Sequence, residues 1–328
     1  MTETLTYKIQ KYSPDFKNIF KGVYLDFKNR AYKDYKFELE PLEYEDFTAS
    51  LDENLIECLI LFEEEIPTAF MVYTTEISEA LELNIIHCLG DENLNTKRKL
   101  LMEKFLELNK SIINEKVVTY PMLGTQESFT PDITNYGFKL IGLAVVRFML
   151  NNIKSIEIFK QYKESSLPLN YEIKEWKDEY KDSLIEVVNT SFKHTSDALF
   201  DPRFATKDGC KDIINKISNS IYGRFLPDCT SVLFFKNRPV GLCCTNITAG
   251  RIANIPLIGM KKEHAGKGLG KALLYNSMKK LFTIYGNVLE ELNVSTETDN
   301  YPALNMYRRL GFKEDYYYPQ AYKPVDAK

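Results

Sequence analysis

Histidine is scarce in this chain. There are three in 328 residues, His87, His194 and His264, and they lie far apart in sequence. No His or Cys grouping has metal-ligand spacing, so no metal is expected. Cysteine is sparse as well. The six, Cys58, Cys88, Cys210, Cys229, Cys243 and Cys244, form no Cys-x-x-Cys pair. They read as small buried hydrophobes of a reducing compartment. Long apolar runs are missing: the longest, Leu140 to Leu150, contains Arg147 and is too short to span a bilayer. The N-terminus, Met-Thr-Glu-Thr-Leu-Thr-Tyr-Lys, has no signal-peptide apolar core. These absences point to a soluble, cytoplasmic protein without a membrane partner. Concentrated positive charge is lacking too. The 42 Lys and Arg are dispersed among 46 Asp and Glu, the formal net charge is −4, and the pI is near 5.7. Nucleic acid is therefore not expected as a partner.

What is present is apolar material for two ordinary domains: 44% hydrophobic and 13% aromatic residues. The densest chemical signal is a run of glycines, His264-Ala-Gly266-Lys-Gly268-Leu-Gly270-Lys-Ala-Leu-Leu274, between an apolar strand and a helix. Glycines there admit close approach to the backbone. The following helix presents unpaired N–H groups and its positive end, a combination that suits a phosphate-bearing ligand. The nucleotide P-loop does not fit, because Gly266 and Gly270 are too close and Ala272 follows Lys271 where a hydroxyl is needed. The dinucleotide fingerprint fails on the position of its third glycine.

The segment resembles the pyrophosphate loop of the GNAT superfamily of N-acetyltransferases, [Q/R]-x-x-G-x-[G/A], here Ala265-Gly266-Lys267-Gly268-Leu269-Gly270. Ala265 departs from the usual Gln or Arg. Downstream, Asn300-Tyr-Pro-Ala303-Leu-Asn-Met-Tyr307-Arg-Arg-Leu-Gly311-Phe312 is similar to the family's N-x-x-A-x-x-x-Y-x-x-x-G-F segment. The resemblance implies acetyl-CoA as cosubstrate, held between two splayed strands, 252–260 and 289–296. On this basis Leu257, Ile258, Gly259 and Met260 are expected to offer backbone groups to the cosubstrate. An N–H near Gly259 or Met260 would polarise the acetyl carbonyl. The N–H groups from Gly266 to Lys271 would hold the pyrophosphate, with Lys267 or Lys271 compensating for Ala265. Asn300 is expected to contact CoA, cap its helix, or both. Tyr307 is the expected acid toward the departing thiolate, a reasonable task for a phenol.

The general base is the weak point, since the first splayed strand carries no acidic residue. Glu297 is the nearest choice; Asp197, Asp201 and a water chain are alternatives. Tyr316, Tyr317 and Tyr318 either line an acceptor pocket or form a strand with aromatic faces. The function implied is an acetyl-CoA-dependent N-acetyltransferase acting on a primary amine in a ternary complex, as a monomer or homodimer. Alternatives are a non-catalytic acyl-CoA sensor and an acyltransferase for longer chains or a hydroxyl acceptor.

The two halves also echo each other. Leu59-Ile-Leu-Phe-Glu-Glu-Glu-Ile-Pro67 matches Ser231-Val-Leu-Phe-Phe-Lys-Asn-Arg-Pro239. Tyr136-Gly137-Phe138 matches Leu310-Gly311-Phe312, and Tyr7 to Tyr12 matches Tyr171 to Trp176. The matches keep their order and lie 164 to 174 residues apart. A tandem duplication follows: a degenerate GNAT-like domain over 1–155, a polar linker from Lys154 to Leu169, and a catalytic domain over 166–328. Each is expected to be a mixed α/β domain with a twisted sheet flanked by helices. In the first copy the loop positions fall near Thr96 and Arg98 and the phenol position on Ile133. One CoA site per chain is expected.

In the second half, strands are expected at 171–176, 231–236, 240–247, 251–260, 289–296 and 312–322. Helices are expected at 179–192, 212–222, 268–285 and from Asn300 to Gly311, the last with Pro302 in its first turn. The hairpin turn is placed at Asn237-Arg238-Pro239. Pro256 inside an otherwise apolar strand implies a bulge or an unpaired N–H.

Overall fold

The computed structural model of the chain describes residues 6–37, 40–75, 80–162 and 166–325. Residues 1–5 and Ser165, which entered the reading above, lie outside them. The chain forms two compact units: Met1–Ile141 with Tyr318–Lys328, and Gly142–Tyr317.

The first unit contains β1 (Tyr7–Lys11), α1 (Lys17–Tyr35), α2 (Tyr44–Asp52), β2 (Glu57–Glu63), β3 (Ile66–Thr74), β4 (Ala80–Cys88), α3 (Leu94–Leu108), α4 (Lys110–Ile113), β5 (Val117–Pro121) and α5 (Thr130–Ile133). β6 (Lys139–Met149) runs from it into the second unit. There follow α6 (Ile153–Gln161), β7 (Tyr171–Glu175), α7 (Lys181–Phe192), α8 (Asp197–Phe200), α9 (Lys207–Ser218), β8 (Arg224–Phe225), β9 (Ser231–Phe235), β10 (Arg238–Ala249), β11 (Ile252–Met260), α10 (Leu269–Tyr285), β12 (Glu291–Glu297), α11 (Tyr301–Arg308) and β13 (Lys313–Lys323).

Each unit is a mixed α/β sandwich. In the first the strand order is β1-β2-β3-β4-β5, antiparallel except for the parallel pair β4–β5. In the second it is β7-β9-β10-β11-β12, with β11–β12 the parallel pair. Helices cover both faces, because strand residues alternate between two cores. On β2, Leu59 and Leu61 face one core, and Cys58, Ile60 and Phe62 face the other. In the second unit one core holds Leu269, Leu273 and Met278 of α10, and the other holds Leu184, Val187 and Val188 of α7 with Ile213 and Ile214 of α9.

The two units repeat details of geometry. Glu64-Glu65 and Lys236-Asn237 are two-residue hairpin turns with positive φ at both positions, 50° and 72°, 47° and 61°. That backbone matches the twist of the flanking strands. It also moves the second turn back from Asn237-Arg238-Pro239: Arg238 and Pro239 already pair with Phe235 and Phe234. Gly137 and Gly311 both take positive φ, 82° and 95°, before a buried phenylalanine.

The compact units and the two expected sequence copies are different divisions of the chain, and the compact units do not divide in the polar stretch 154–169. Residues 153–161 are helical, and the boundary falls inside β6 and β13. The cause is strand placement: residues 143–149 of β6 pair with β12 in the second unit, and residues 320–323 of β13 pair with β5 in the first. Helix α9 begins at Lys207 rather than Asp212, because the Thr206 hydroxyl accepts from the Gly209 N–H at 3.0 Å and caps it. It stops at Ser218 rather than Tyr222, and Ser220 has a φ of 63°.

Ending the chain at Tyr317 removes the antiparallel partner of β5. Amide exchange at residues 118–120 should accelerate sharply while β12 keeps its protection. Unchanged protection at 118–120 would refute this role for the last strand.

Candidate active site

The site begins where two strands part. β11 and β12 pair only at Ile252↔Glu291, Ala253↔Leu292 and Asn254↔Asn293. Beyond these, β11 carries one extra residue. Thr245 of β10 faces both Ile255 and Pro256, since Cys244 pairs with Leu257 and Asn246 with Asn254. The side-chain phase flips accordingly: Ala253 and Ile255 enter the α10 core and Leu257 enters the α7 core. Pro256 thus sits at a bulge, where its missing N–H breaks no ladder.

The Lys261 N–H donates to the Val240 carbonyl at 2.9 Å. By alternation the Gly259 N–H also points to β10, and those of Ile258 and Met260 point into the gap. No ladder partner on β12 faces those two amides, since the pairing of β11 with β12 ends at Asn254. Gly259 itself is therefore not the expected donor. A Cβ there would lie 2.6 Å from the Phe192 ring, so the glycine makes room for that ring.

The gap opens into a cavity of about 750 Å³. One wall is the glycine loop. Gly266 and Gly268 have φ of 76° and 74°, the left-handed region that favours glycine, and a Cβ at either would meet open space. Gly268 is the N-cap of α10 and contributes no side-chain cap, so the first N–H groups of the helix stay open. The loop is braced from behind by Tyr171. Its hydroxyl bonds His264 Nδ1 at 2.7 Å, and Lys267 Nζ donates to it at 3.3 Å and to the Glu263 carbonyl at 3.2 Å. Lys267 is therefore turned away and does not line the cavity, whereas Lys271 does, with its ammonium over the Tyr162 ring.

A second wall is α11. The Asn300 side chain accepts from the Ala303 N–H at 3.3 Å and donates to the Thr296 hydroxyl at 3.1 Å, so it caps the helix while lining the cavity. Tyr307 lines the cavity with 2% of its surface exposed, and its hydroxyl has no hydrogen-bond partner among the described residues. Burial, with the nearby Cys243 and Asp197, pushes its pKa well above the ordinary phenol value, so it is protonated at neutral pH.

Two carboxylates face the same space. Glu297, at the end of β12, is pushed up to about 7, first by burial, then by Asp197 and Asp299. Asp197, on α8, is raised by desolvation and opposed by the Thr195 hydroxyl, which donates to it at 2.8 Å. The residue is largely exposed, so solvent screening keeps this rise modest. Asp201 is absent from the cavity wall and is bound instead by Arg203 at 2.6 Å.

Leu257, Ile258, Gly259, Met260, Ala265, Gly266, Gly268, Leu269, Gly270, Lys271, Glu297, Asn300 and Tyr307 thus meet around one cavity; Lys267 does not. Tyr316, Tyr317 and Tyr318 are not on its wall. Sequence reasoning passed over Phe192, Phe200 and Phe204, which line it from the α7–α9 connection. Their clustering in that segment was the available signal.

The first unit has the same splay, filled from within. Among the described residues β4 and β5 pair at three positions, Ala80 to Glu82 with Val117 to Thr119, and Asn84 is the extra residue of the same bulge. The Ile86 N–H, which corresponds to that of Ile258, donates to Gln126 Oε1 at 3.0 Å. The loop is shorter: Asn93, with φ 53°, takes the place of Gly268 as the left-handed N-cap of α3. Arg98 then falls where α10 has Leu273. It is buried and donates to the Ser128 hydroxyl at 2.6 Å and the Thr125 carbonyl at 3.1 Å.

Residues 198–312 match the acetyltransferase (GNAT) family. Over 70 residues the chain is 34% identical to an N-alpha-acetyltransferase of Sulfurisphaera tokodaii, a stretch covering 21% of this chain and 39% of that protein. Among solved structures, a GCN5-related N-acetyltransferase from Sphaerobacter thermophilus superposes with a TM-score of 0.66 at 13% identity, covering 98% of this chain and 97% of that one. A tandem GNAT protein from the clavulanic acid biosynthesis pathway does so with a TM-score of 0.62 at 11% identity, covering 98% and 100%. At these identities the likeness concerns the fold, and it runs through both units. Among the described residues no group of three or more His, Cys, Asp or Glu could hold a metal ion, and no helix is long and apolar enough to cross a membrane.

Folded Glu297 keeps its proton to about pH 7, whereas the unfolded side chain loses it near 4.5. The folded state binds more protons in that window, so this group makes stability fall as pH rises through it. Glu297→Gln should therefore raise Tm above wild type at pH 8 and lose that advantage at pH 4. A Tm difference independent of pH would contradict the shifted carboxyl.

Proposed function

We propose that the chain, whose residues 198–312 match the acetyltransferase (GNAT) family, is an acyltransferase that moves the acetyl group of acetyl-CoA to a primary amine of a small molecule or peptide by direct attack in a ternary complex. The observation that carries this reading is the pair of amides outside the ladder, Ile258 and Met260, facing a cavity that also holds an uncapped helix N-terminus and a buried phenol. Backbone groups left out of a ladder bond to water or to a ligand, and these two, half-exposed on a cavity wall, suit a ligand with its own amides and carbonyls. A pantetheine arm has both. The open N–H groups from Gly266 to Lys271 suit its pyrophosphate, and Lys271 adds a charge. Ala265 contributes no side-chain contact. Asn300 borders the same space.

In the proposed reaction the amine nitrogen forms its bond to the acetyl carbon as the carbon–sulfur bond breaks. Of the two protons that an ammonium loses in becoming an amide, one passes to the Glu297 carboxylate, whose pKa near 7 suits a general base at neutral pH, and the other restores the Tyr307 hydroxyl after it has given its proton to the thiolate. The Tyr307 hydroxyl donates to the departing thiolate. Burial raises the proton affinity of a thiolate in the same cleft as well as that of the phenol, so the transfer stays balanced. The Met260 N–H, and not that of Gly259, is assigned to the developing oxyanion. We take 1–155 and 166–328 as the two copies of a duplication, of which only the second binds acetyl-CoA. The likeness to the N-alpha-acetyltransferase of Sulfurisphaera tokodaii supports a nitrogen acceptor.

Calorimetric titration should find one acetyl-CoA bound per chain; no binding would refute the reading, and two sites would refute the closed first cleft. Tyr307→Phe should lower kcat by roughly 10²–10⁴-fold, the usual contribution of a positioned acid, with the Kd for acetyl-CoA unchanged. Equal turnover would remove Tyr307 from the mechanism.

A further inference from the structure

The cavity wall carries two kinds of charge in different company. Lys271, in the first turn of α10, has the glycine loop beside it, and Arg309 lines the wall at the end of α11. Asp197 and Glu297 face each other's field and that of Asp299, and neither has a cationic partner among the described residues. A carboxylate pair of this kind is poorly compensated in a half-enclosed space, and a bound cation would relieve it. The segment that brings Asp197 also brings aromatic surface. Phe200 lies one helical turn on in α8, and Phe192 and Phe204 pack together with ring centroids 4.9 Å apart. Carboxylate and aromatic faces together favour a cation attached to an apolar body.

We infer that the acceptor is an amine that binds as a cation on an aromatic or extended apolar body, with no carboxylate beside the amine, and that Asp197 is the residue selecting it. This rests on the acyl-transfer reading of the same cavity. Asp197 is assigned the attraction of the ammonium, and Glu297 receives the proton. An acceptor carrying its own carboxylate next to the amine would set a third negative charge against the pair.

Phenylalaninamide and phenylalanine are near-isosteric and only the second carries a carboxylate; with rates referred to equal concentrations of free amine, because the amide is the weaker base, they test the idea as acceptors with acetyl-CoA. Wild type should favour the amide in kcat/KM by on the order of tenfold or more. Asp197→Asn should collapse the preference mainly through KM, and Asp197→Glu should restore it. Comparable rates for the two acceptors in wild type, or a preference untouched in Asp197→Asn, would overturn the inference while leaving acyl transfer intact. Calorimetry of phenylalaninamide in the presence of CoA separates the two ideas. Binding that weakens in Asp197→Asn, with no acetylation by wild type, supports the selectivity and refutes the transfer. Absence of both binding and turnover refutes the inference.

Discussion

One extra residue in β11 sets up the rest of the second unit. The bulge at Ile255 and Pro256 ends parallel pairing after Asn254, turns Leu257 to the opposite core, and leaves Ile258 and Met260 with amides aimed at empty space. A strand in a sheet normally spends its hydrogen bonds on neighbours. Here two are withheld, and the withheld groups stand between the open N-terminus of α10 and the hydroxyl of Tyr307. Pro256 marks this spot in the sequence but does not create it. The first unit makes the same bulge with Asn84, whose side chain accepts from the Thr74 hydroxyl at 3.0 Å. The distortion belongs to the fold, and proline is tolerated there because no ladder bond is lost.

The two units therefore compare an open cleft with one that its own side chains fill. Gln126 of the first unit stands where Asn300 stands in the second, at an interval that also relates Gly137 to Gly311. Asn300 turns its oxygen to its own helix. Gln126 is longer by one methylene and reaches Ile86 across the gap, with the Tyr120 hydroxyl donating to the same oxygen at 2.6 Å. Arg98 adds its bulk and charge from α3. A buried guanidinium without a carboxylate is an unfavourable way to fill a core on stability grounds alone. It is accommodated because Ser128 and Thr125 accept from it, and because Phe129 lies under it at 5.9 Å.

Much of this was legible in the sequence where local chemistry decides. The left-handed glycines, the Asn300 cap with Pro302 behind it, and Gly311 before Phe312 each meet a backbone need that few residues satisfy. Legibility failed where the deciding partner is distant. Thr206 starts α9 through a cap that the apolar pattern does not reveal. Lys267 points to Tyr171, a residue near the start of the unit, rather than to the ligand side. Asp201 looks as free as Asp197 until Arg203 folds back on it. The pattern of 312–322 identifies a strand but says nothing about which sheet takes it, since any edge offers the same row of N–H and C=O groups.

The missing acid on β11 has a related explanation. Its cavity-facing residues are committed by the bulge to backbone recognition, and a carboxylate among them would repel the anionic ligand that the glycine loop favours. The end of β12 is under no such constraint. Glu297 there is the last residue to pair with β6, so its backbone is held while its side chain meets the cavity. Asp197 and Asp299 crowd it with negative charge, and burial discourages ionisation further. Those same influences, which make the site acidic and poorly compensated, tune one carboxyl to neutral pH. An acceptor that arrives as a cation answers both conditions at once: it offsets the charge on binding, and it supplies the proton that the raised carboxyl is poised to accept.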